Sequence, residues 1–182
     1  MEMKSSICYN IFPTMSVKKA LNLKTRRERS GPTANPSPER MWKTVRILVS
    51  ACLLGVLCRY DGGSQPCEKV ISLMKEHELI PVCPEQLGGL QTPRLPSEIR
   101  GDKVVASNET DVTAQFERGA QEALKIARLY GCEEAILKSD SPSCGHGRVY
   151  DGTFTGSKCP GDGVTCRRLM EAGIRVRSEK EI

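Results

Sequence analysis

The sequence predicts an α/β fold: a single Rossmann-like domain with a mainly parallel sheet, helices packed on it, and a small hairpin near the C-terminal half. Three observations lead there. Short, β-branched apolar runs recur at residues 44–50 (TVRILVS), 80–82 and 134–137, each with the continuous apolar character of a strand covered on both faces. Segments with helical periodicity lie between and after them. Gly- and Pro-rich loops follow the strands, so the order β-loop-α-β-loop-α-β-α-β calls for parallel pairing through right-handed crossovers.

Each element has its own justification. The run at 44–50 forms the first strand, and CRYDGGSQP (58–66) supplies turn chemistry after it. Pro66 suits a first helical position, and Val70, Leu73, Met74 and His77 then share one face of a helix reaching about Leu79. Residues 80–82 form the second strand. Residues 84–110 are rich in Gly, Pro and polar side chains, with one short strand at 103–106. Asp111 or Thr113 caps a helix whose Phe116, Ala120, Ala123, Leu124 and Ala127 make an apolar stripe, and Gly131 stops it. The third strand is 134–137. After the loop holding Cys144, RVYDGTFTG reads as a hairpin turning on Asp151-Gly152. A last helix over 163–171 ends at Gly173, and 174–176 is a last strand.

At 182 residues the chain is long enough for one domain with a proper core. Its nine cysteines are odd in number, with no apolar run before a small-residue cleavage site, so they do not read as a secreted disulfide framework. No stretch approaches the roughly 18 consecutive apolar residues of a membrane span. A reducing cytoplasm is therefore the expected location, where clustered cysteines point to metal or catalysis. The formal net charge of +5 is confined to the start of the chain. Residues 1–40 hold eight Lys/Arg against three Asp/Glu, whereas residues 41–182 hold nineteen of each. The domain proper thus lacks the basic excess that drives nucleic-acid binding. Residues 1–43 read as a disordered N-terminal extension: a tail, an Arg-rich transit peptide, or the product of an upstream start codon, with Met41 as the native start. The folded domain is expected over 44–182.

The chemistry concentrates at strand ends. Cys52 follows the first strand, Cys83 the second, and Cys144 lies in the loop after the third. In a parallel sheet these points share the carboxyl edge, where open α/β folds bind ligands, so three thiols distant in sequence are expected to meet. Convergent thiolates suit a soft metal centre, zinc or an iron–sulfur cluster. Structural zinc usually takes four ligands and often a C-x2-C pair, which is lacking here. A cubane cluster on three cysteines keeps one iron open as a Lewis acid. Cys58 and Cys159, both in loops, are alternative fourth ligands, whereas Cys67, Cys132 and Cys166 read as packing residues. Glu85, two residues past Cys83, can move protons at that edge. Ser141 either starts a turn or orients a substrate, with Asp140 and Ser143 as rivals. His146 reads as a surface residue, and Lys138 as either a substrate or cluster-charge contact or a snorkelling lysine.

With SACLLG (50–55), RYDG (59–62), CPEQLGGL and TPR (83–90 and 92–94) and LKSDSPSCG (137–145) assembled, the chain resembles the short thiouracil desulfurase (desulfidase) family over about residues 45–176. The resemblance implies a [4Fe-4S] cluster on Cys52, Cys83 and Cys144, with catalytic roles for Glu85 and Ser141. It implies non-redox desulfuration of a thiolated pyrimidine such as 2-thiouracil to the oxo-pyrimidine, with release of hydrogen sulfide. The expected partners are that small substrate and the iron–sulfur assembly machinery, with neither membrane nor nucleic acid, in a monomer or homodimer. Two other readings remain: a non-catalytic cluster protein sensing sulfur or oxidant through the same pocket, and a nucleotide binder. The latter is weakened by the absence of G-x-G-x-x-G from the first βα loop.

Overall fold

The computed structural model describes residues 44–182, so the expectations for residues 1–43 lie outside the described residues. In chain order the elements are β1 (Arg46–Ser50), α1 (Glu68–Ser72), β2 (Glu78–Val82), α2 (Pro84–Leu87), β3 (Ser97–Arg100), β4 (Lys103–Ala106), α3 (Thr113–Tyr130), β5 (Glu134–Leu137), β6 (Arg148–Tyr150), β7 (Lys158–Pro160), α4 (Val164–Glu171) and β8 (Arg175–Ser178). Short 3-10 turns cover Ala51–Leu54, Leu73–Lys75 and Glu179–Glu181.

The central sheet has the order β2-β1-β5-β8, and every pair in it is parallel. The expected α/β architecture is therefore the observed one. Strand pleating divides the apolar residues between two faces. Leu48, Ile80, Val82, Ala135, Leu137 and Val176 pack with Leu124 and Ala127 of α3 and Cys166 and Leu169 of α4. Ile47, Val49 and Ile136 face the other way and meet Val70 of α1. Each large apolar side chain so buried contributes about 1.5–3 kcal/mol. That packing holds α1, which at five residues is too short to persist on its own.

The chain departs from β1 first to one side, to β2, and then to the other, to β5. The strand order thus reverses between β1 and β5, which makes the carboxyl ends of these strands the switch point. Two small antiparallel pairs, β3-β4 and β6-β7, lie outside the main sheet. The first of them packs Val104 and Ala106 against Phe116 and Ala120 of α3.

Five local readings need correction. The helix expected up to Leu79 stops at Ser72 and tightens into a 3-10 turn, leaving Met74 61% exposed rather than on an apolar face. Pro66 precedes the helix instead of opening it. The cause is strand pairing: Glu78 and Leu79 register with Arg46 and Ile47, so the sheet claims residues whose local pattern is helical. The expected two-residue turn at Asp151-Gly152 is a seven-residue loop, 151–157, closed by Asp151 N–H donating to Ser157 O. Within 84–110, α2 and β3 were not anticipated; β3 acquires its strand only by pairing with β4. The last strand also runs beyond 176, to Ser178.

Close backbone approaches aim two of the loops. A Cβ on Gly119 of α3 would overlap the carbonyl of Pro84, so a glycine there lets α2 lie directly on α3. A Cβ on Gly163 would similarly overlap the backbone of Ser143 and Cys144. These contacts seat the segments that follow β2 and β5.

Candidate functional site

At the carboxyl edge of the sheet the loops enclose a cavity of about 480 Å³, within the usual range for small-molecule sites. Cys52 reaches it from the 3-10 turn directly after β1, and Cys83 from the residue that caps α2 directly after β2. Cys144 enters from the loop after β5. The structure thus brings together the three thiols singled out from strand ends. It adds Cys58, one of the two alternative ligands, which also lines the cavity and is 2% exposed. The other alternative, Cys159, is placed in β7 away from the cavity wall. Among the described residues all eight cysteines are free thiols.

The four thiols share one environment. Cys58 packs with Cys52 and Cys83, and the neighbouring Cys52 thiol, supported by burial, pushes the Cys58 thiol up to about 11. Cys83 Sγ also lies 3.6 Å from the Cys58 carbonyl. The neighbouring Cys58 thiol and then burial drive the Cys83 thiol upward as well. Burial pushes the Cys144 thiol up to about 12, against weaker opposition from the nearby Ser50 and Ser143 side chains. Raised in this way, the Cys58, Cys83 and Cys144 thiols favour the protonated form without a metal, so a thiophilic metal must displace protons to bind. The donor set is soft sulfur from several loops in one enclosed space. That suits an iron–sulfur cluster better than a hard cation.

Glu85 sits on α2 and lines the same cavity. Its Oε2 accepts from Arg94 Nε at 2.7 Å, and Arg94 Nη2 lies 2.6 Å from the same oxygen. No protein hydrogen bond among the described residues falls on Oε1. Arg94 is itself fastened: its Nη2 donates to Cys58 O and its Nη1 to Gln91 O and Thr92 Oγ1, all at 3.1 Å. One guanidinium therefore ties the carboxylate to the loop carrying Cys58.

Ser141 also lines the cavity. Its Oγ accepts from the N–H groups of Ser143 and Cys144, both at 3.1 Å, so the hydroxyl organises the Cys144 turn and keeps only its O–H to donate. The turn reading and the substrate reading of Ser141 are compatible. Ser143 points away: its hydroxyl pairs with Thr165 Oγ1 at 2.9 Å in the buried interior and does not line the cavity. Asp140 is on the wall but is occupied by Arg148, Lys158 and Lys180. Lys138 is likewise engaged, with Nζ 2.7 Å from Glu179 Oε1 and hydrogen-bonded to Ser139. It anchors the end of β5 to the turn after β8 and does not snorkel.

Several wall residues escaped the sequence reading. Arg94 stands in the quoted TPR stretch, whose placement beside Glu85 depends on the fold. Glu98 is buried on β3, and its Oε2 accepts from Gly152 N–H at 2.9 Å and Phe154 N–H at 3.0 Å. It thereby fixes the 151–157 loop against the cavity. Tyr60, Tyr150 and Phe154 supply aromatic surface to the wall, suited to a flat ring. Tyr60 comes from the loop after β1, whereas Tyr150 ends β6 and Phe154 lies in the loop that follows it, so only the fold brings the three rings to one wall.

The sequence profile of the family described as 2-thiouracil desulfurase matches residues 47–181. The uncharacterized protein YbbK of Bacillus subtilis (strain 168) is 44% identical over 146 residues, a span covering 75% of this chain and 97% of YbbK. Among solved structures, the [4Fe-4S]-dependent thiouracil desulfidase TudS superposes with a TM-score of 0.73 at 45% identity, over 76% of this chain and 93% of TudS. Among the described residues no helix is long and apolar enough to cross a membrane. The parallel α/β sheet agrees with the TudS match, and with the family profile covering residues 47–181 the chain belongs to the 2-thiouracil desulfurase family.

Proposed function

We propose that the protein removes sulfur from a small thiolated pyrimidine, with 2-thiouracil as the reference substrate, by C–S hydrolysis on a [4Fe-4S] cluster held by Cys52, Cys83 and Cys144. The observation that carries this is the meeting of thiols from three strand ends in one cavity beside a carboxylate, a hydroxyl and aromatic walls. The [4Fe-4S] dependence of TudS supports the choice of cofactor. When bound on three cysteines, such a cluster supplies one open, Lewis-acidic iron with an affinity for soft sulfur.

The remaining work falls to the chain's own residues. Tyr60, Tyr150 and Phe154 hold the planar ring, and the Ser141 hydroxyl donates to a ring acceptor. Glu85, held in place by Arg94 through Oε2, takes a proton from water at Oε1 as that water attacks the thiocarbonyl carbon. The C–O bond forms, the C–S bond breaks, and both water protons leave with sulfur as hydrogen sulfide. No electron is gained or lost, so no external donor is needed.

The same reading includes maturation by iron–sulfur assembly machinery, a reducing cytoplasmic setting, a monomer or homodimer, and a catalytic unit spanning residues 44–182. A free base or nucleotide suits it better than a polynucleotide, because residues 41–182 carry no net charge. The test is incubation of anaerobically reconstituted protein with 2-thiouracil. One sulfide and one uracil per turnover are expected. Stoichiometric retention of ligand or sulfide with no uracil formed would instead support a sensor of sulfur or oxidant.

A further inference from the structure

A second constellation of metal-binding side chains lies outside the cavity. His146, Asp162 and Cys166 each direct one ligand atom toward the others, all within 4.8 Å. His146 Nδ1 is 3.1 Å from Asp162 Oδ1; Cys166 Sγ is 3.6 Å from His146 Nδ1 and 3.7 Å from Asp162 Oδ1. None of the three lines the thiol cavity. We propose that His146, Asp162 and Cys166 form a binding site for a single zinc-class divalent ion, which clamps the Cys144 loop to the start of α4.

Geometry is the first support. Zinc binds imidazole nitrogen at about 2.0–2.1 Å, carboxylate oxygen at about 2.0–2.2 Å and thiolate sulfur at about 2.3 Å in tetrahedral array. Those bond lengths require ligand atoms separated by about 3.3–3.7 Å. The three observed separations fall on or within about 0.2 Å of that interval, as one shared ion requires. The donor set is the second support: a thiolate and a carboxylate neutralise a divalent charge, and the mixture of sulfur, nitrogen and oxygen selects zinc over magnesium or calcium. Asp162 Oδ1 accepts from Gly147 N–H at 2.6 Å, which orients the carboxylate and leaves its other lone pair for a metal. The side chains of His146 and Asp162 are 29% and 27% exposed, while Cys166 is fully buried. That partial exposure leaves an entry path for an ion.

The position gives the ion its role. His146 is two residues beyond Cys144, Asp162 immediately precedes the α4 cap Gly163, and Cys166 is in the first turn of α4. The same two segments are joined by Gly163 N–H to Gly145 O at 2.8 Å and Thr165 N–H to Ser143 O at 2.9 Å. An ion across them closes the loop that carries Cys144 and Ser141, whatever occupies the thiol cavity.

The experiment uses cluster-loaded protein mixed anaerobically with two equivalents of zinc and then desalted. About one zinc per chain is expected to remain with the iron content unchanged. Zinc-edge X-ray absorption should show one sulfur near 2.3 Å and the rest nitrogen or oxygen. Cys166→Ala and His146→Gln should each lose the retained zinc while keeping iron, and zinc should raise the melting temperature only in the unmodified protein. The partly exposed His146→Gln change keeps the test valid if Cys166→Ala disturbs the core. Absence of retained zinc overturns the proposal. So does zinc retained equally by both variants, or zinc bound by several sulfurs with loss of iron, which would place it in the thiol cavity.

Discussion

At the scale of single residues, the cavity presents more sulfur than a three-cysteine cluster needs, and Cys58 makes the assignment testable. It packs with Cys52 and Cys83 but arrives from a loop rather than from a strand end. Cys58→Ser is expected to retain about four irons per chain and measurable desulfuration, whereas Cys83→Ala should abolish cluster absorbance and turnover together. Iron analysis alone separates the ligand sets: loss of cluster in Cys58→Ser would make Cys58 a ligand. Glu85 carries the second residue-level prediction. Glu85→Gln keeps the shape and the cluster but removes the proton acceptor, so kcat should fall by about 10²–10⁴-fold at unchanged iron content. Full activity in that variant would remove Glu85 from proton transfer.

At the scale of elements, the site depends on short segments pinned by single polar groups. Glu98 on β3 holds the 151–157 loop through two backbone amides, although nothing in its role requires contact with the reacting atoms. Removing it leaves two amides without their acceptor and loosens Phe154 at the cavity wall. Glu98→Ala should therefore raise KM more than it lowers kcat and speed amide exchange across residues 151–157. Slow exchange there, equal to that of the unmodified protein, would show that the loop is held by other means. The closeness of α2 to α3 at Gly119 belongs to the same scale: it fixes the helix that bears Glu85 by backbone contact, with no side chain between.

At the scale of the whole molecule, the end of β5 and the turn after β8 are tied by Glu179, which accepts from Lys138 Nζ, Ser139 N–H and Ser139 Oγ, each at 2.7 Å. Burial pushes this carboxyl up, but the bonds from Lys138 and Ser139 outweigh it and hold the group below its ordinary 4.5. Asp140 is held well below 3.8 in the same way, burial being outweighed by Lys158, Arg148 and Lys180. A carboxyl lowered in the folded state adds stability above its unfolded value, and that stability is lost as pH falls through the folded one. The stability gap between the unmodified protein and Glu179→Gln should thus be largest above about pH 5 and shrink steadily below pH 4.5. Urea midpoints measured for both proteins at each pH check this, since acid loss of a cluster affects both alike. A gap that widens on acidification would contradict the sign.

The sequence by itself determined the α/β class, the strands at 44–50, 80–82 and 134–137 within a residue or two, and the long helix before Gly131. It also placed Cys52, Cys83 and Cys144 at one sheet edge. These are consequences of apolar periodicity and of the rule that parallel strands share their carboxyl ends, both of which are local or topological. Only the tertiary structure decided that the helix after Pro66 yields to β2, since the hydrogen bonds that claim Glu78 and Leu79 come from β1, some 30 residues away. It alone distinguished Cys58 from Cys159, paired Glu85 with Arg94, turned Ser143 inward, and set Cys166 beside His146. Each of those outcomes depends on where a side chain points and on what approaches it from another loop, and no spacing along one chain encodes that direction.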